Sequence, residues 1–242
     1  MKLGCLPYLN VKPLVYGLEQ GINPLELKLA YAPPSKLAKM LEAREIEAAP
    51  VSSFAVIRND KLKYCSSICI SSQGPVDSVL LFCKTDIENI HKIALDPASL
   101  SAAAMVKIIL SEAYGITPKI QKKTADSDAF LLIGDAAMLT PKNGYTIIDI
   151  ATEWKKLTGL PAVFALWAGY GITEELEEEL IFQKTYGLSQ IHQIAYDESF
   201  RLGLSEESIE EYLTKRISYD FGEDEKKSFD LFKEKCHNHK LV

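Results

Sequence analysis

Little in this chain points toward nucleotide, metal or membrane chemistry. No Gly-rich loop ending in Lys-Ser or Lys-Thr occurs in its 242 residues, and no Gly-x-Gly-x-x-Gly follows a strand-like segment; the usual backbone cradles for phosphate are missing. Gly169-Tyr170-Gly171 lacks both a third glycine and a helix signal after it. No Gly-x-Ser-x-Gly elbow is present. The four histidines, His91, His192, His237 and His239, stand outside every strand-to-helix loop. His237 and His239 fall in a tail expected to fray. Nucleotide-binding, metal-dependent and Ser-His mechanisms are therefore not expected, and the expected site has no metal and no cofactor.

Cysteine is also uninformative as chemistry. The five residues, Cys5, Cys65, Cys69, Cys83 and Cys236, are an odd number, which argues against a disulfide framework. Cys65 and Cys69 have no second pair or nearby histidine to complete a metal site, so they read as small buried apolar residues. No apolar run is long enough for a bilayer. The segment Met1 to Asn10 has no long apolar stretch and no small-residue cleavage site. A cytoplasmic location away from membranes is the expectation. The formal net charge is −6 with no basic stripe, which argues against nucleic acid as a partner.

What is present is an alternation of strand and helix signals. Lys2 to Leu6, Leu25 to Ala32, Glu47 to Val51 and Cys65 to Ser71 read as strands. Helical spacing follows Asn10, Pro33-Pro34 and Ser52-Ser53. The pattern restarts after Lys84: His91 to Leu95, Pro118 to Lys122, Ala129 to Ile133 and Tyr145 to Ile150 read as strands, and Ser99 to Ala113 as a helix. Two long apolar strands, near 78–84 and 161–167, are candidate crossovers between two units. The last third reads as helices over 173–184, 188–202, 205–217 and 223–236, with acidic first turns at Glu174-Glu175, Glu206-Glu207 and Glu223-Asp224. This is an α/β chain with parallel layers and a helical C-terminal region.

Small polar residues gather at the C-terminal ends of the strands, where open α/β sheets bind ligands. Asn10 follows the first strand, Ser52 and Ser53 the third. Ser71, Ser72 and Gly74 precede the first long apolar strand, Ser99 and Ser101 begin a helix, and Gly134 and Asp135 end a buried strand. Hydroxyls and N–H groups at helix starts suit carboxylates. Each residue also fits a simpler role: Asn10, Ser52, Ser53 and Ser99 are preferred helix caps, Ser72 and Gly74 are turn formers, and Asp135 fits a solvated strand end. Trp154 and Trp167 read as core, and Glu174 to Glu179 as a solvated helix face.

In order along nearly the whole chain, several segments resemble one family. They include Tyr8-Leu9-Asn10 with Pro13-Leu14, Pro50-Val51-Ser52-Ser53, Ile70-Ser71-Ser72 through Gly74-Pro75-Val76, and Ser78-Val79-Leu80-Leu81-Phe82. Others are Leu131 to Asp135, Trp154, Thr158-Gly159-Leu160-Pro161, Val163 to Trp167, Tyr212-Leu213 and Ile217-Ser218-Tyr219-Asp220. The chain resembles the chorismate dehydratases of the futalosine route to menaquinone. The resemblance implies a two-lobed α/β fold like type II periplasmic binding proteins, with two crossover strands. The expected lobes are 1–83 plus 176–242, and 84–175, with the ligand cleft between them.

The resemblance also implies a lyase that removes water from chorismate to give 3-[(1-carboxyvinyl)oxy]benzoate. Aromatisation drives that reaction, so positioning and help for the leaving hydroxide are the main tasks. By resemblance, Asn10, Ser72 and Ser78 line the reacting end, Ser99 and Ser101 hold a carboxylate from the other lobe, and Gly134 and Asp135 shape the floor or hinge. No motif offers a histidine base, and the substrate's own enolpyruvyl carboxylate is the expected proton acceptor. The family usually carries Ser-x-Thr-Ser-Val at the first helix of the second lobe. Here Ser99-Leu100-Ser101-Ala102-Ala103 lacks one hydroxyl and has a bulkier Leu100. Two rivals share the fold: a non-catalytic small-carboxylate binding protein, and the related 1,4-dihydroxy-6-naphthoate synthase. The latter family begins with a Cys-Pro-Asn-Asp-like segment and uses a histidine, unlike this chain.

Overall fold

The apolar runs at 79–83 and 162–169 become central strands of two separate sheets in the computed structural model, which describes residues 1–95, 99–122 and 126–242. The first sheet contains β1 (Lys2–Cys5), β2 (Lys28–Tyr31), β3 (Ala48–Ser52), β4 (Lys63–Ser72), β10 (Ala162–Gly169) and β11 (Ser218–Asp220). Its order is β11-β4-β10-β3-β1-β2. The second contains β5 (Val79–Cys83), β6 (Lys92–Ala94), β7 (Lys119–Gln121), β8 (Ala129–Ile133) and β9 (Thr146–Asp149), in the order β7-β6-β8-β5-β9.

Both sheets are mixed, not parallel. β1 runs parallel to β2 and β3, and β6 to β7 and β8, but β10 is antiparallel to β3 and β4, and β5 to β8 and β9. The reason lies in how β5 and β10 are reached. Each is entered directly from the other lobe, without the crossover helix that a parallel neighbour requires. Each therefore lies wholly in one sheet, and the chain passes between lobes in the short segments 73–78 and 159–161. By sheet membership β5 belongs to the second lobe and β10 to the first. The sequence-based limits, 1–83 plus 176–242 and 84–175, place these two strands the other way round. Ser72 at the end of β4 pairs with Ala162 at the start of β10, so the two crossings leave the first sheet side by side.

The helices are α1 (Lys12–Glu19), α2 (Pro34–Glu42), α3 (Ser53–Arg58), α4 (Leu100–Tyr114), α5 (Asp135–Leu139), α6 (Ile150–Thr158), α7 (Glu174–Ser189), α8 (Ile191–Leu202), α9 (Glu206–Glu211) and α10 (Glu223–Asn238). α4 is apolar around most of its circumference because it packs on α6 of its own lobe and on α3 and α10 of the other. α6 escapes a reading based on apolar spacing, yet its ends are marked. Asp149 accepts from the Thr152 N–H as N-cap, and Gly159 closes the helix at φ +76° with its N–H on the Lys155 carbonyl. Trp154 and Trp167 are buried core residues, as expected. The Trp154 indole N–H donates to Ser228 Oγ at 3.0 Å, tying α6 to α10.

All five cysteines are free and buried. Burial pushes the thiols of Cys5, Cys69, Cys83 and Cys236 up to about 12 and that of Cys65 up to about 11, so none is a thiolate nucleophile near neutrality. Two expectations are corrected by long-range partners. Glu177 is not a solvated helix-face residue: it accepts hydrogen bonds from the Ser66 N–H and the Ser66 and Ser67 hydroxyls of β4. His239 is not in a frayed tail, since α10 continues to Asn238 and His239 Nε2 meets Glu112 at 2.9 Å. No helix among the described residues is long and apolar enough to cross a membrane.

Candidate active site

A cavity of about 230 Å³ lies between the lobes, beyond the C-terminal ends of β1, β3 and β8. From the first lobe it is lined by Tyr8 and Asn10 after β1, Pro34 and Ser35 at the start of α2, and Ser52 at the end of β3. The second lobe adds Ser78 before β5, Ser99 to Ala102 at the start of α4, and Ile133 and Gly134 at the end of β8. The remaining wall is mainly aliphatic, including Leu6, Val51, Ile70, Val76 and Ile217. None of the described lining residues is Asp, Glu, Lys, Arg or His. Among the described residues no group of three or more His, Cys, Asp or Glu could hold a metal ion.

Asn10 lies in a short 3-10 turn, Leu9–Val11, and does not cap α1. The N-cap position belongs to Val11, with no side-chain cap. Pro13 in the first turn of α1 has no N–H to receive one. Asn10 instead lines the cavity, and its Oδ1 is buried with no protein partner. Asn10 is near enough to the Tyr212 phenol to act on its titration. Tyr212 in turn donates to Ser78 Oγ at 2.8 Å, inside the protein. Burial is the main cause that pushes the Tyr212 phenol well above its ordinary value; Asp135 adds to it, and the Ser78 and Asn10 contacts oppose it. Tyr212 therefore remains a neutral donor at any physiological pH.

Ser52, Ser53 and Ser101 form a second hydroxyl cluster. Ser52 Oγ caps α3 by accepting from the Ala55 N–H at 3.4 Å and lies 2.7 Å from Ser101 Oγ. Ser53 Oγ donates to the Val163 carbonyl at 2.7 Å. Ser101 Oγ donates to the Phe164 carbonyl at 2.8 Å and accepts from the Phe54 N–H at 3.1 Å. A hydroxyl has one proton and two lone pairs. With Ser52 supplying the other proton, the Ser101 hydroxyl has its bonding capacity filled by the first lobe. The expectation that this hydroxyl holds a substrate carboxylate is thus replaced by a role in joining the lobes. Ser99 remains on the cavity wall.

Ser71, Ser72 and Gly74 do not line the cavity. Ser72 Oγ donates to the Gly74 carbonyl at 2.9 Å and accepts from the Gly74 N–H at 3.4 Å, which closes the turn after β4. Ser71 Oγ points to the Ser218 carbonyl of β11 at 3.4 Å. These residues shape the first crossing segment. Asp149 clamps that segment by accepting from the Val76 and Asp77 N–H groups, both at 2.9 Å. Burial raises its carboxyl above the ordinary value, against the lowering effect of those N–H groups and of Thr152.

Gly134 and Asp135 divide the role expected of them. Gly134 has φ +60° and ψ −145°, a conformation suited to glycine, and a Cβ there would lie 3.4 Å from the Tyr8 ring. Asp135 lies behind the wall. Its Oδ1 accepts from the Leu9 N–H at 3.0 Å and its Oδ2 from Arg201 Nη2 at 2.9 Å. Burial works against the Arg201 charge, but Asp135 and Glu198 outweigh it and raise its pKa. Asp135 therefore joins the second lobe to two elements of the first, one of them next to Asn10. Tyr212 and Arg201 carried no role in the sequence reading. Tyr212 lies in a matching segment, but only the folded chain brings it to Ser78.

The two sheets, the paired crossings and the interlobe cavity define a periplasmic-binding-protein-like fold suited to a small molecule. The sulphonate-binding protein SsuA of Escherichia coli aligns over 100% of this chain and 88% of its own, with a TM-score of 0.65 at 17% identity. A crystal structure of an Archaeoglobus fulgidus protein aligns over 100% and 98% with a TM-score of 0.80, also at 17% identity. Sequence comparison defines the family more narrowly. The chain belongs to the menaquinone biosynthesis family, whose model matches residues 1–238. A Thermus thermophilus protein named chorismate dehydratase is 29% identical over 239 residues, covering 87% of this chain and 86% of that protein. A Campylobacter jejuni protein of the same name is 30% identical over 171 residues, covering 68% and 66%.

Proposed function

We propose that this chain is a chorismate dehydratase, a carbon–oxygen lyase that forms 3-[(1-carboxyvinyl)oxy]benzoate and water. The observation that supports it most is the cavity wall: helix starts from both lobes, neutral hydroxyls, and no described carboxylate or imidazole. Chorismate carries two carboxylates. The first-turn N–H groups of a helix have no intrahelical partners, and the helix dipole favours an anion there. α4, with Ser99 to Ala102 on the wall, offers such a start from the second lobe, and α2 adds Ser35 from the first, since Pro34 has no N–H and the Lys36 N–H is held by the Pro33 carbonyl. The aliphatic wall suits the ring.

The reaction breaks a ring C–H bond and the adjacent C–O bond, and the electron pair left on carbon completes the aromatic ring. The described wall residues include no carboxylate or imidazole base, and the substrate's enolpyruvyl carboxylate takes the proton within the same molecule. The protein's part is to hold the reactive conformer and to ease hydroxide departure. Ser78, with its oxygen already accepting from Tyr212, donates its own proton toward the leaving hydroxyl. The unpaired Oδ1 of Asn10 accepts from the same hydroxyl before it leaves and sets its orientation.

Purified protein mixed with chorismate and no cofactor tests this reading by ultraviolet absorbance and product mass. A benzoate spectrum and the loss of one water support it. Chorismate retained unaltered on the protein would point instead to a binding role.

A further inference from the structure

Tyr212 is the last residue of the first lobe's polar chain before the cavity wall, and its hydroxyl is expensive to bury. A phenol oxygen taken out of water costs stability unless it is hydrogen-bonded, and phenylalanine would fill the same volume without that cost. Tyr212 begins a widened, π-type helical turn, Tyr212–Arg216, that follows α9. Such turns interrupt regular helices and are frequent at functional sites. Ile217, the residue after the turn, lies on the cavity wall.

The hydroxyl has a defined use. It donates to Ser78 Oγ at 2.8 Å, while the Gly134 N–H holds the Ser78 carbonyl at 2.7 Å. Ser78 has a single proton. With Tyr212 donating, that proton is directed away from Tyr212, and Ser78 is a cavity-lining residue. Tyr219 provides a contrast a few residues on: it is also buried, but its hydroxyl has no protein partner.

We propose that Tyr212 is a positioning residue that aims the Ser78 hydroxyl at the substrate's leaving group, an inference that rests on the chorismate dehydratase reading. It never touches the substrate. It sets the donor direction of a residue that does, and in a dry site each bond of such a chain strengthens the next.

The test compares the full-length protein with Tyr212→Phe, Ser78→Ala, the double variant and Tyr219→Phe, each assayed for kcat and KM on chorismate and for melting temperature. Tyr212→Phe should lose at least about 10-fold in kcat, with KM changed less than about 3-fold. The double variant should match Ser78→Ala, because a residue acting only through Ser78 has nothing to act on once it is gone. Tyr219→Phe should keep wild-type kcat. Wild-type kcat in Tyr212→Phe, or losses that multiply in the double variant, overturn the inference while the function stands. A wild-type chain that leaves chorismate intact overturns the function and this role together. If Tyr212→Phe does not fold, replacing Tyr212 by fluorotyrosine keeps the shape and strengthens the donor. A kcat unmoved by that replacement, at unchanged melting temperature, also overturns the inference.

Discussion

The two lobes meet along seams of opposite chemistry. Near the cavity the contacts are neutral and largely buried: Ser101 with Ser52 and Ser53, and Tyr212 with Ser78. Farther out they are ionic and wetter: Asp135 with Arg201, and Glu112 of α4 with Lys235 of α10 and His239 just after it. In low dielectric an unpaired charge is costly, and a fixed carboxylate would repel an anionic ligand. Hydroxyls and helix starts bind an anion without either penalty. At the rim water screens the charges, so ion pairs there are cheap and individually weak. The difference teaches that the inner seam joins the lobes with neutral groups that leave the cavity uncharged, while the outer one adds weaker ionic ties.

Breaking the inner seam should matter most. Ser78→Ala should lower kcat on chorismate by about 100-fold with a small change in KM, since it removes a donor that acts mainly as hydroxide leaves; steady-state kinetics will show it. Ser101→Val should destabilise the fold by about 2–3 kcal/mol, because it leaves the Phe54 N–H and Phe164 carbonyl buried without their partner. Urea unfolding monitored by the buried tryptophans measures that loss.

The outer seam should respond more gently. Asp135→Asn keeps an acceptor for the Leu9 N–H but removes the charge facing Arg201, and about 1 kcal/mol of stability and a few-fold of kcat are the expected losses. A sharp loss of turnover with binding and fold intact would instead make Asp135 the base and remove the intramolecular proton transfer. Glu112→Gln should cost less than about 1 kcal/mol, and that cost should shrink in high salt. Burial raises the Glu112 carboxyl, but Lys235 and His239 outweigh it and hold it below its ordinary 4.5. A folded-state value below the unfolded one contributes stability above the unfolded value and loses it as pH falls through the folded one. The melting-temperature gap between wild type and Glu112→Gln should therefore close in acid below the usual carboxylate range.

Local chemistry was easy to read in advance, and long-range chemistry was not. Ser52 caps α3, the acidic first turns of α7, α9 and α10 stand where expected, and the cysteines are inert. Each follows from neighbours a few positions away. The membership of β5 and β10 depends on strands over forty residues distant, and their apolar composition is the same in either sheet. Asn10, Ser52, Ser78, Ser99, Ser101 and Gly134 reach the cavity, but the Ser101 hydroxyl is already bonded to the first lobe, and Ser72, equally suitable in sequence, closes a turn away from the cavity. A hydroxyl's partners are fixed by folding, not by residue type. α6 is marked in the sequence by its two ends, Asp149 as N-cap and Gly159 as the left-handed stop, rather than by apolar spacing.

The aliphatic cavity also links the protein's survival to its ligand. A molecule that binds only the folded chain, at about 100 times its Kd, adds about 2.7 kcal/mol to stability and cuts the unfolded fraction about 100-fold. Proteases that act on the unfolded chain would find correspondingly less of it. The abundance of this protein would then follow the supply of whatever small molecule binds its cleft, with no change in its rate of synthesis.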